Sequence, residues 1–93
     1  MTVEEQLDKL AYDLEPTQFQ DGETIIAPER EQDLEMFQTD VQRLRRYAAQ
    51  GLIQIKREVR EHMSGNHHIV RVFIRMGPEG VAWRKSLIEG KKL

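Results

Sequence analysis

The sequence predicts one small α+β domain in which helices come first, a long β-hairpin follows, and a last helix closes the chain. Three observations carry this. Apolar residues recur at helical period up to Gly51 and at period two from Leu52 onward. Gly65-Asn66 then interrupts the alternating stretch as a two-residue hairpin turn signal. Finally, Thr-x-x-Glu/Gln spacings, at Thr2/Glu5 and Thr39/Gln42, mark helix starts.

The first helix begins at Thr2, and Val3, Leu7, Leu10, Ala11 and Leu14 share one face of it. Pro16 ends the pattern. A polar stretch with an Asp21-Gly22 turn leads to a short β-branched strand, Thr24-Ile25-Ile26-Ala27. Pro28 suits the first position of a second helix running to about Phe37, with Leu34 and Phe37 inward. Gln38 and Thr39 are read as a break, and a third helix over 40–50 buries Val41, Leu44, Tyr47 and Ala48. Gly51 supplies the left-handed residue that stops it.

In the hairpin, 53–76, Ile53, Ile55, Val59 and Met63 fall on one face, as do His68, Val70, Val72, Ile74 and Met76. A turn at Gly65-Asn66 pairs Ser64 with His67, Val59 with Val72 and Ile55 with Met76, and sets Arg60 opposite Arg71. Gly77-Pro78-Glu79 opens the last helix, Trp83 is expected to pack against the hairpin, and Gly90 is read as the stop before a frayed tail.

This order resembles the winged helix-turn-helix superfamily, which includes MarR-type and PadR-type bacterial regulators. Leu44-Arg45-Arg46-Tyr47-Ala48-Ala49-Gln50-Gly51-Leu52-Ile53 is similar to the end of their recognition helix entering the wing. Arg75-Met76-Gly77-Pro78-Glu79-Gly80-Val81-Ala82-Trp83 is similar to the step that closes the wing and starts a helix, without the threonine expected there. The resemblance covers most of the chain by element order and about twenty residues by motif. It implies a small DNA-binding transcriptional regulator with the third helix in the major groove. A dimer is expected from size, because one small winged helix reads few base pairs and a two-fold partner doubles the contact.

On that reading Gln42, Arg43, Arg46 and Gln50 face base edges, since arginine can grip guanine and glutamine adenine. Thr39 holds a phosphate at the helix start, and Lys56, Arg60, His62, Asn66, His67 and Arg71 meet the backbone from the hairpin. The dimer seam is sought on the first or the last helix.

Charge complicates this. Residues 1–40 carry twelve acids against two bases, and residues 41–93 carry twelve bases against four acids. The halves can attract each other within the fold, or one can meet an oppositely charged partner. Glu29, Glu31, Asp33 and Glu35 would repel phosphates, so the alternative is a winged-helix protein-interaction module with an acidic face for a basic protein. The two readings part on whether those acids flank Arg43 and Arg46.

No enzyme is expected. The chain has no cysteine, no glycine-rich phosphate loop, and two serines without a placed base and acid. His62, His67 and His68 offer at most two ligands on one face, short of a zinc site, and no cofactor is implied. The acidic N-terminus does not read as a secretion signal, and no apolar run approaches a membrane span. A cytoplasmic protein is the expectation.

Overall fold

The computed structural model describes residues 2–63 and 65–91, the side chain of Lys91 excepted. Helices α1 (Val3–Tyr12), α2 (Leu34–Ala49) and α3 (Pro78–Lys91) pack with strands β1 (Thr24–Ile26), β2 (Ile53–Met63) and β3 (Asn66–Met76). The three strands form one antiparallel sheet in the order β1-β3-β2.

The first helix starts where its capping chemistry places it, the Glu5 amide donating to Thr2 Oγ1 at 3.2 Å. Val3, Leu7 and Ala11 are buried, and Leu10 and Leu14 pack partly against the core. Most of that stripe is thus used inside the monomer.

The expected second and third helices are not two helices. Residues Glu31–Asp33 form a single 3-10 turn, and α2 then runs from Leu34 through Gln38 and Thr39 to Ala49 without a break. The physical reason lies in the stripe. Leu34, Phe37, Val41 and Leu44 are all buried on one continuous face, and no glycine or proline interrupts them. Thr39 is therefore an interior residue and not a cap. At the far end Gly51 takes φ 78°, and its amide donates to the Ala48 carbonyl at 3.0 Å, closing the helix as expected.

The hairpin turn sits one residue earlier than expected. Met63 pairs with Asn66 and His62 with His67, with Gly65 left-handed at φ 82°. Ser64, assigned above to His67, lies outside the described residues. Two register shifts follow, one leaving Lys56 of β2 without a partner and the other leaving Val70 of β3 without one. Between them Glu58 lies opposite Val72 and Val59 opposite Arg71. The second bulge sets Ile69, not Val70, beside Val72, Ile74 and Met76 in the core. Arg60 lies opposite Ile69, so the expected clash with Arg71 does not arise.

Ion pairs join the acidic and basic halves. Arg84, 2% exposed, lies 2.6 Å from Asp8 Oδ1 and donates to the Glu4 carbonyl at 3.3 Å, fastening α3 to α1. Arg57 reaches Glu23 at 3.9 Å. Part of the charge asymmetry is thus internal. Trp83 packs on Tyr47 at the end of α2, with ring centroids 4.6 Å apart. Helix α3 continues through Gly90 to Lys91, and residues 92–93 of the expected tail lie outside the described residues.

Candidate interaction surface

Helix α2 lies along the hairpin, its N-terminus beside the tip and its C-terminus beside the root. Two ties fix it there. The Gln38 side chain bonds the backbone of Ile69, and Arg45 grips Glu58 with both carboxylate oxygens at 3.0 Å. The tip is not a free arm. Met63, Asn66 and His68 share a cleft of about 300 Å³ with Glu31, Gln32, Leu34 and Glu35. Asn66 therefore sits among carboxylates, where a phosphate would be repelled.

The outward face of α2 carries the residues named from helical spacing. Thr39, Gln42, Arg43, Arg46 and Gln50 are all exposed. Arg43 is already engaged, 3.0 Å from Glu4 Oε1 and 3.8 Å from Asp40 Oδ1. The bond to Glu4 raises the Arg43 pKa further. Asp40 is pushed above the usual aspartate range, first by burial and then by Glu4, with Arg43 opposing. Arg46 has no ion-pair partner among the described residues, and neither has Lys56.

The remaining hairpin candidates are partly neutralised. Arg60 lies 3.6 Å from Glu58 and Arg71 lies 3.5 Å from Glu61. His62 and His67 face each other edge to face at 5.0 Å. Among the described residues no group of three or more His, Cys, Asp or Glu could hold a metal ion.

A concavity of about 510 Å³ opens between the start of α1, the 27–30 segment and the first half of α2. Its walls include the apolar Val3, Pro28, Met36 and Phe37, with Glu5, Glu29, Asp33 and Asp40 around them. Thr39 and Arg43 line the same cleft. Two of the four acids of the 29–35 segment, Glu29 and Asp33, therefore flank Arg43, and the Arg30 cation nearby is held by Asp33 at 3.1 Å. Sequence reasoning missed Glu4 and Asp40. Asp40 stands three residues before Arg43 and could have been found from helical spacing. Glu4, 39 residues away, leaves no local signal.

No family model, curated protein or solved structure matches this chain. Among the described residues no helix is long and apolar enough to cross a membrane.

Proposed function

We propose that this chain is a protein-interaction module, winged-helix-like in its element order, that docks a basic partner at the acidic cleft beside α2. The β1-β3-β2 sheet, with α2 leading into the long hairpin, supports the winged-helix kinship, the second helix being reduced to the Glu31–Asp33 turn. One observation carries the functional reading. Arg43, central to any DNA-reading face, is bonded to Glu4 and shares its cleft with Glu29, Asp33 and Asp40. The cleft lining carries four carboxylates against the two arginines Arg30 and Arg43. That balance opposes a phosphate and favours a lysine or arginine flanked by apolar residues, which meets both an acidic rim and an apolar floor.

The test is a titration of a mixed-sequence duplex DNA and of an alternating lysine-leucine peptide, each at low and moderate salt. The peptide binds, the duplex does not, and Glu5→Lys with Glu29→Lys removes peptide binding. Duplex binding at low salt that falls steeply with added salt overturns the reading.

A second reading keeps the DNA-binding regulator. Gln42, Arg46 and Gln50 are exposed at four-residue spacing, and Arg46 and Lys56 have no carboxylate partner among the described residues. On that reading the duplex contact survives Arg43→Ala and is lost in Arg46→Glu.

A further inference from the structure

We propose that the uncovered face of the sheet docks a second copy of this chain, across a two-fold axis centred on the row Ile25, Phe73 and Arg57. The proposal concerns a different surface from the acidic cleft and does not depend on it. Ile26, Val72 and Ile74 are fully buried on the face that packs on the helices. Strand alternation sends their neighbours the other way. Ile25 pairs with Phe73, and Phe73 with Arg57, so the three form one row across all strands. Ile25 is 52% exposed, and Phe19, whose ring packs on Gly77, is 57% exposed. A groove of about 340 Å³, in which Leu10, Ile25 and Ile26 stand among Lys9, Asp13 and Thr24, continues toward α1. Ile25 and Phe19 thus leave apolar surface open on this side of the sheet.

The charges around the row identify the occupant. Arg57 lies 3.9 Å above the Phe73 ring and reaches Glu23 at 3.9 Å, while Arg75 stands 6.0 Å from the Phe19 ring. Cation and carboxylate thus flank the same apolar centre. A surface bearing both signs around an apolar middle is complementary to itself under a two-fold rotation, which sets Arg57 of one copy against Glu23 of the other. The existing Arg57–Glu23 contact is long, with the two side chains 61% and 37% exposed, so exchanging it between copies sacrifices little. A nucleic-acid base is a poorer occupant, because Arg57 already covers one side of the Phe73 ring.

Sedimentation velocity over a concentration series tests this, with thermal melting to confirm that each variant folds. The wild-type chain shifts from monomer to dimer as concentration rises. Ile25→Glu places a charge at the seam and raises the dimer dissociation constant at least about tenfold. Arg57→Glu weakens the dimer, and adding Glu23→Arg restores it; this swap serves as the second test if Ile25→Glu fails to fold. A chain that stays monomeric throughout overturns the proposal. So does a dimer indifferent to both substitutions, or an oligothymidine that binds the wild-type chain and is lost in Ile25→Glu.

Discussion

The side-chain amide of Gln38 satisfies both backbone groups of Ile69: its Nε2 donates to the Ile69 carbonyl at 2.8 Å, and the Ile69 N–H donates to its Oε1 at 3.2 Å. Strand β1 pairs with β3 only over Val72–Ile74, so at Ile69 the edge of β3 is open to a side chain. Gln38 fills the place a neighbouring strand would take and binds the hairpin to α2.

Replacing Gln38 with alanine leaves a donor and an acceptor of a buried residue without these partners. The expected loss is about 2 kcal/mol, read as a lower urea midpoint with an unchanged slope. Gln38→Glu retains only the acceptor and loses nearly as much. A glutamate variant as stable as wild type would show that the amide-to-carbonyl bond contributes little.

Gln38 also shows what sequence reading can and cannot reach. Three local signals held: the Thr2 cap, the left-handed Gly51 and the α3 start at Pro78 are each legible, because a few adjacent residues set them. The Thr39/Gln42 spacing predicts a break at Gln38, but the continuous stripe Leu34, Phe37, Val41 and Leu44 overrides that local signal, and the partner of Gln38 lies 31 residues away. The hairpin register failed for a related reason. Alternation fixes parity only in an unbroken ladder, and the bulges at Lys56 and Val70 leave no compositional trace. The outward face of α2 was legible from its period, but the acids that answer Arg43 come from α1 and the 29–35 segment through tertiary packing.

Glu58 gives a pH dependence with a definite sign. Its bonds from Arg45 hold its carboxyl below the usual glutamate range, with Arg60 adding to the effect and burial opposing it. A carboxyl whose pKa is lowered on folding adds stability that is complete at neutral pH and is lost as pH falls below roughly 4. Glu58→Gln should therefore cost about 1 kcal/mol at pH 7, Arg45 being partly solvated, and the gap from wild type should narrow toward pH 3. A gap that stays constant across that range would assign the loss to packing instead of charge.

Gly80 and Gly90 both lie in α3, and the same substitution should act in opposite directions at the two sites. A Cβ on Gly80 would lie 1.9 Å from the Leu52 carbonyl oxygen and 3.0 Å from Met76 Cγ, whereas a Cβ on Gly90 meets nothing within 4 Å. The Leu52 oxygen belongs to the backbone that links α2 to β2, so α3 must move away. Gly80→Ala should cost about 3 kcal/mol. Gly90→Ala should add roughly 0.5–1 kcal/mol through helix propensity alone. Thermal melts of the two variants measure this directly, and a neutral Gly80→Ala would mean that α3 can shift without loss.

Arg84 and Asp8 pose a different question, because the charge is buried. Asp8→Ala removes the carboxylate that, alone among the described residues, is bonded to a guanidinium that is 2% exposed, leaving it the Glu4 carbonyl and the Trp83 ring 4.7 Å away. An orphaned charge of this kind costs on the order of 3 kcal/mol. Removing both partners, as Asp8→Leu with Arg84→Met, should recover most of that, since the desolvation of the cation is no longer required. The double-mutant cycle in urea separates the two effects. If the double variant is as unstable as Asp8→Ala, the guanidinium is needed for its shape and hydrogen bonds between α1 and α3, and not merely tolerated because Asp8 neutralises it.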